Sequence, residues 1–322
     1  MLNSVYREDL IENVRDILAK AGFYVSRTIV MRRVSFDVVA RRDKILLIMK
    51  VLSNIDSFSK ENAEELKVLA EALEASPLVV GERTGSGEME EGIVYSRFGI
   101  PIISVDTLSD FVLEGIPPFI FAAPGGLYVK LDSELLRKLR EERNISLGTL
   151  AEVAGVSRRT IQMYESGMGA MIDVATRLEN YLNELLVVPL DPFIYNSRTG
   201  QHLVDLNKLD VFGQEVFGIL DRLGYSIVPT VKCPFEALTS HDRTLMLTGL
   251  GKDESRLVEK AHAVGDISKI TERKSVIFIE RVRNRCSIGG TPLIGKDELK
   301  KMDESDKLFD LVISRSGSYE KR

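Results

Sequence analysis

The chain has 322 residues, 44% hydrophobic and 28% charged, which supplies core material for two or three domains and excludes wholesale disorder. No apolar run approaches the roughly 20 residues needed to span a bilayer, and the start lacks the basic and apolar stretches of a signal peptide, so a cytoplasmic protein free of membrane is expected. With 43 basic against 48 acidic residues the net charge is −5, so any nucleic-acid contact must come from a local patch.

From the N-terminus, Leu10, Val14, Ile17, Leu18 and Ala21 recur at helical spacing and stop at Gly22, a residue suited to the left-handed conformation that ends helices. The stretch FDVVARRDKILLIMKV from Phe36 places two apolar runs around an Asp-Lys turn, the pattern of a hairpin. A charged helix carrying Leu66, Leu69, Ala70 and Leu73 follows, then a buried-type strand at Leu78 to Gly81. Thr84 to Gly92 contains glycines without the Lys and Ser or Thr of a phosphate loop, and an exposed loop is expected there. Pro117, Pro118, Pro124, Gly125 and Gly126 then interrupt regular structure and mark a boundary.

The next block has a helical pattern, with helices expected from Ser133, from about Gly148, from Ser157 and after Met171, and a tight turn at Gly155. Pro189, Pro192 and Asn196 to Gly200 close it. The first pattern then returns. Phe212, Val216, Ile219, Leu220 and Leu223 precede Gly224, and FEALTSHDRTLMLTGL from Phe235 aligns without gaps on the first hairpin. Leu257, Val258, Ala261 and Val264 mark the second charged helix, and Val276 to Ile279 the second buried strand. Gly99, Pro101, Asp106 and Leu108 match Gly290, Pro292, Asp297 and Leu299 at one constant offset, so the α/β module is duplicated. Three domains are expected, over 1–123, 124–188 and 189–322, with a solvated last helix and strand after Lys296 and a frayed end from Ser314 to Arg322.

Cys233 and Cys286 are far apart and the histidines, His202, His241 and His262, are scattered, which gives no zinc ligand pairs and no nucleophile motif. Buried thiols, no metal and no cofactor are expected, and the sequence assigns no small-molecule effector.

In the helical block, Ala151 is small where two helices must cross, Gly155 can take a positive φ, and Ser157 can cap the third helix. Leu150, Val153, Val156 and Ile161 supply the apolar contacts that fix the angle between the second and third helices. The sequence LAEVAGVSRRTIQMYESG, Leu150 to Gly167, resembles the Cro and lambda-repressor-like DNA-binding domains over about 55 residues of the chain. That resemblance implies an all-α helix-turn-helix domain whose third helix enters the major groove of double-stranded DNA, with Arg158 and Arg159 at the base-reading positions. Each guanidinium can donate to guanine O6 and N7 together, a discrimination of roughly 1 to 3 kcal/mol per good contact. Gln162 and Met163, one turn on, would reach the edge of the site or a thymine methyl. Ser157 and Thr160 would meet phosphate at the helix start. Arg140 and Arg143 are either further phosphate contacts or complements to a helix C-terminus, and Glu165 is expected to bond within the domain. Leu147 and Gly148 depart from the polar residue, frequently Gln, that relatives often carry there for a backbone contact. Lys130 to Glu184 holds eight basic and nine acidic residues, so non-specific affinity is expected to be weak and salt-dependent.

The flanking modules, with an acidic residue in the first hairpin strand and Lys ending the next, resemble the restriction-endonuclease-like fold of archaeal Holliday-junction resolvases. Those nucleases set an Asp, then a carboxylate two residues before a Lys, to hold Mg²⁺ and activate water. Asp37 and Lys50 match, but Ile48 stands where the second carboxylate belongs; in the second copy Glu236 matches Asp37 while Leu247 and Gly249 replace the rest. Glu8 or Glu12 would have to complete a metal site. The order of degenerate nuclease-like module, Cro-like domain and second module is similar to the archaeal family of HTH-type transcriptional regulatory proteins, across essentially the whole chain. The reading is therefore a multidomain, non-enzymatic transcriptional regulator, specific for DNA sequence and homodimeric through its flanking modules. Two alternatives stay open: a metal-dependent, structure-selective nuclease using Asp37 and Lys50, and a protein-interaction scaffold.

Overall fold

The computed structural model describes residues 2–27, 34–195, 209–242, 244–251, 254–282 and 285–316. Asn196 to Gly200, His202 and the last six residues, for which turn, histidine and fraying expectations were set, lie outside them. The first α/β segment runs α1 (Leu2–Lys20), β1 (Tyr24–Val25), β2 (Val38–Arg42), β3 (Ile45–Asn54), α2 (Lys60–Leu73), β4 (Ser76–Thr84), β5 (Gly87–Glu88), β6 (Ile93–Arg97), β7 (Ile100–Ser104) and α3 (Val105–Ser109). The middle segment contains β8 (Ile120–Ala123), β9 (Gly126–Leu131), α4 (Ser133–Glu142), α5 (Leu147–Ala154), α6 (Arg158–Tyr164), β10 (Ala170–Met171), α7 (Ile172–Leu182) and β11 (Val187–Val188). The last comprises α8 (Val211–Arg222), β12 (Ser226–Pro229), β13 (Ala237–His241), β14 (Thr244–Gly251), α9 (Glu254–Thr271), β15 (Lys274–Ile279), β16 (Ser287–Ile288), β17 (Thr291–Gly295), α10 (Lys296–Leu299) and α11 (Ser305–Ser316).

Contacts group the chain into two units, one of Met1–Val51, Ser59–Pro77 and Asn196–Arg322, the other of Leu52–Phe58 and Leu78–Tyr195. The Pro and Gly stretch expected to be a boundary holds a strand: Ile93 of β6 pairs with Ile120 of β8, and the β8–β9 hairpin turns at Gly125 and Gly126, at φ +100° and +145°. Strand pairing thus joins the end of the first α/β segment to the helical block.

In the first unit the repeated local signals give repeated structure. Gly22 and Gly224 sit at φ +82° and +87°, and the amides of Phe23 and Tyr225 donate to the carbonyls of Leu18 and Leu220, each at 3.0 Å, closing α1 and α8 alike. Asp43 and Asp242, both at φ 52°, turn the β2–β3 and β13–β14 hairpins, a left-handed position that Asp tolerates. The strand order of the last segment is β12-β13-β14-β15-β17-β16, antiparallel at the hairpin and parallel from β14 to β17. Phe212, Val216, Leu220, Met246, Val276, Phe278, Ile294 and Leu308 fill its core. After Lys296 two helices follow, and no strand among the described residues, because Leu308 and Val312 of α11 dock on that core at helical spacing.

The α/β elements of this unit also pack on one another. α9 lies against β2, Ser35 donates its amide to the carbonyl of Lys232 at 3.0 Å and its hydroxyl to that of Val231 at 2.8 Å, and Lys232 reaches Glu61 and Glu65. Arg41 pairs with Glu272 at 2.7 Å and Arg273 with Glu74 at 3.2 Å.

In the second unit the strands run β4-β7-β6-β8-β9-β10, with β11 also on β9. The Thr84 to Gly92 segment, expected as a loop, is partly a hairpin: β5 pairs with β4, and the Gly85 amide donates to Asp56 at 2.6 Å, where a Cβ would lie 2.8 Å from the carboxylate. The two cysteines are free; Cys233 is buried, its thiol pushed up to about 12 by desolvation, whereas Cys286 is exposed, against expectation, because it precedes β16 outside the sheet.

Candidate nucleic-acid interface

Three of the four helices of the middle segment, α4, α5 and α6, begin where a side chain accepts from the first turn: Asp132 from Leu135, Ser146 from Thr149 and Ser157 from Thr160, at 2.9 to 3.1 Å, while α7 follows Met171 without such a bond. Gly155, at φ +68°, ends α5, and the carbonyl of Ala154 beside it accepts from Arg177 at 2.8 Å. Leu136, Leu150, Ala154, Ile161, Val174 and Leu178 interlock beneath, with Val156 packed against them. The block is not wholly helical: Ala170 of β10 pairs with Val129 of β9, and Val187 of β11 with Leu131, so a small ribbon braces it.

The end of α6 is fixed from α4. Ser133 donates to the carbonyl of Tyr164 at 2.6 Å and Arg137 to that of Glu165 at 2.9 Å. Glu165 is 8% exposed and receives Arg140 in a two-pronged pair at 2.5 and 3.2 Å, which raises the Arg140 pKa further and holds the group cationic. Arg143 donates to the carbonyl of Leu182, which ends α7, and pairs with Glu184. Both arginines weighed as phosphate contacts are thus engaged inside the domain, Arg140 by a buried carboxylate and Arg143 by a helix C-terminus.

Arg158, Arg159, Gln162 and Met163 are exposed on α6, and Ser157 and Thr160 stand at its head. The hydroxyls of Ser157 and Thr160 share one hydrogen bond at 2.9 Å, leaving one O–H between them to donate outward. Arg158 has a seat that the sequence reading missed. Its guanidinium lies over Gly148 of α5, where a Cβ would meet Nε and a terminal nitrogen at 3.1 Å. The departure at Gly148 therefore creates the space in which Arg158 rests, and the signal in the sequence was the absence of a side chain opposite it.

The carboxylate of the first α/β segment is arranged otherwise. Asp37 is 4% exposed; its oxygens accept from Arg7 at 2.6 Å, from the Val51 amide at 2.9 Å and, at 3.4 Å, from Lys50. Lys50 also donates to the carbonyl of Val34 at 2.5 Å, and burial pulls its pKa below the ordinary lysine value against the pull of Asp37. Ile48, where the second carboxylate of a nuclease would stand, is fully buried. These donors do not fit a divalent cation, since the one acid is already neutralised and a hydrocarbon takes the second ligand position. No group of three or more His, Cys, Asp or Glu side chains among the described residues could hold a metal ion. In the last segment Glu236 accepts from the Leu250 amide at 2.6 Å and from Lys260 at 2.5 and 2.7 Å.

Comparison with known proteins agrees with this layout. A model of the PD-(D/E)XK superfamily domain matches residues 7–118, and a helix-turn-helix model matches residues 136–186. No solved structure matches the chain. A protein of Methanocella arvoryzae is 41% identical over 313 residues, covering 96% of this chain and 97% of the relative. Proteins of Methanosarcina mazei and Halobacterium salinarum are each 39% identical, covering 98% of this chain and 99% of each relative. No helix among the described residues is long and apolar enough to cross a membrane. The chain belongs to the archaeal family whose members carry the name "Putative HTH-type transcriptional regulatory protein".

Proposed function

We propose that this protein is a DNA-binding transcriptional regulator that reads sequence in the major groove with α6, acting on chromosomal DNA in the cytoplasm. The observation that carries the reading is the head of α6, where Arg158 and Arg159 are exposed and the first rests on Gly148. A guanidinium held on a glycine loses less side-chain freedom on binding than one free in solvent, which favours a bidentate contact to guanine. Gln162 and Met163 extend the contact by a turn, and the hydroxyl pair of Ser157 and Thr160 donates to phosphate. Arg140 and Arg143 serve by holding α6 and α7 in place.

One reading helix covers only a few base pairs, so a homodimer on half-sites about 34 Å apart, or a multiple of it, is the form expected on DNA. Because the α/β elements of the first unit pack on one another within one chain, the dimer is assigned to a different surface. We assign the last segment to a second degenerate nuclease-like module, and neither copy to catalysis, on the saturated state of Asp37 and Glu236.

Selection from genomic fragments at moderate salt tests the reading. Wild type should recover a defined site, and the Arg158→Ala, Arg159→Ala double variant should bind all fragments alike. If both proteins recover the same fragments, readout by α6 is wrong. Cleavage of branched DNA with Mg²⁺ that is lost in Asp37→Ala would instead favour the nuclease.

A further inference from the structure

The packing of the α/β elements in the first unit creates two related clefts. One lies where the C-terminal part of α9 meets the end of β1, the other where the C-terminal part of α2 meets β12. The duplication relates them: Tyr24 of β1 faces Arg41 in the first copy as Ser226 of β12 faces Ser240 in the second. Their chemistry differs. The α2 cleft, about 380 Å³, is edged by Glu71, Glu74 and Asp242, with Arg273 as its one cation among the described residues. The α9 cleft, about 670 Å³, is edged by Arg27, His262, Lys269, Arg273 and Lys274, with Glu272 as its one acid among the described residues. Glu272 is turned to Arg41 and Asp266 accepts from the Arg27 amide at 2.6 Å, so among the described residues the cations of the cluster still outnumber the acids beside them.

Arg273 helps to join the modules through Glu74, whereas the two lysines of the cluster take no part in that pair. Lys269 and Lys274 are exposed and pair with no described residue. Two polar atoms of the same wall make no hydrogen bond with a described residue, and one of them is withdrawn from solvent. Ser275 is 4% exposed, lines the cleft and makes no side-chain hydrogen bond with a described residue, and the Arg273 Nε is buried without a partner among them. The Ser275 hydroxyl can therefore donate to a ligand in the cleft, and the guanidinium of Arg273 adds charge to the same wall. On the opposite rim a Cβ at Gly289 would lie 2.5 Å from the His262 ring, so the glycine is what lets the imidazole border the opening.

We propose that this cleft binds a small phosphorylated ligand, its phosphate or diphosphate held by Lys269, Lys274 and Arg27 and its oxygens accepting from Ser275 and Arg273. The volume is within the range of small-molecule sites, roughly 300 to 1,000 Å³, and exceeds what a lone phosphate would fill. The cationic side chains are those expected for charge-assisted bonds to an anion. The site is separate from α6, and its test does not depend on DNA readout.

The experiment is calorimetric titration of the full chain with pyrophosphate at fixed ionic strength, with melting curves in parallel. Saturable binding of one pyrophosphate per chain, weakened at least tenfold in Lys269→Ala, Lys274→Ala and unchanged in Asp242→Asn at the counterpart cleft, is expected. Circular dichroism checks the fold of each variant; if the double variant is unfolded, Arg27→Gln carries the same prediction alone. Absence of binding to wild type overturns the site, as does binding that survives these substitutions. Duplex DNA that displaces pyrophosphate, and whose residual binding to the Arg158→Ala, Arg159→Ala protein disappears with the two lysines, would mark a nucleic-acid backbone surface and also overturn it.

Discussion

In the first α/β segment the cation facing the strand carboxylate comes from the next strand, Lys50, with Arg7 added from α1; in the last it comes from a helix, Lys260 of α9. Both carboxylates accept from a backbone amide one residue beyond the lysine position, Val51 in one copy and Leu250 in the other. Gly249, at the place of Lys50, leaves room that Lys260 enters, with a Cβ there only 3.4 Å from its Cε. The difference teaches that the acid works as a cross-brace between strands. Once it is buried it requires a counter-ion, and the fold supplies one from whichever element is near. The charges of α6 have the opposite disposition, exposed and with no ion pair among the described residues.

The largest expected effect follows from removing the better buried acid. Asp37→Asn leaves Lys50, 7% exposed at its side chain, without a counter-ion, and should cost about 3 to 5 kcal/mol in urea denaturation at pH 7. The loss should be pH-dependent. The Lys50 pKa is already lowered in the folded chain, so between that value and the unfolded one, about 10.4, the unfolded chain binds more protons and stability rises with pH. Without Asp37 the folded value falls further, and the deficit should shrink as pH is raised from 7 to 9.5. A deficit under about 1 kcal/mol, or one that grows with pH, would break the cross-brace account.

The second copy should be more forgiving. Lys260 and Glu236 are 18% and 29% exposed at their side chains, so Lys260→Met leaves a carboxylate that water can partly reach, at a cost of roughly 1.5 to 3 kcal/mol for the charged hydrogen bonds lost. Equal losses at the two sites would remove burial as the reason for the difference. On α6 the expectation reverses: Arg158→Ala should leave the melting temperature nearly unchanged and reduce discrimination at one base pair by roughly 1 to 3 kcal/mol, read by competition with single-base variants of the selected site.

How far the sequence reached depended on whether a feature is local. Gly22, Gly224, Asp43 and Asp242 need left-handed backbone for reasons that neighbouring residues state, and they were readable, as were the caps Ser157 and Gly155. The strand Ile120 to Ala123 was not, because four residues between prolines and glycines form a strand only by pairing with β6 and β9. Arg140 was undecided for a similar reason: its partner Glu165 lies 25 positions along the chain, and only the packing of α4 on α6 turns the two together. The cleft cations were invisible, since Arg27 and Lys274 meet only after the modules pack.

The smallest expected effect is the most diagnostic, because its two readouts have opposite signs. Gly148 is within α5 at an ordinary helical position, so Gly148→Ala should stabilise the fold by roughly 0.5 to 1 kcal/mol through reduced freedom of the unfolded chain. The new methyl would sit 3.1 Å from the Arg158 guanidinium, a flexible group that moves aside at little cost to the fold. Displaced from its seat, Arg158 must be ordered anew on each binding event, so affinity for the selected site should fall by a few-fold while affinity for unrelated DNA stays the same. A more stable variant with undiminished discrimination would show that Arg158 reads DNA without help from α5. A variant that loses both would mean that the glycine serves the packing of α5 on α6, and the comparison between inward and outward charge would then rest on Arg159 alone.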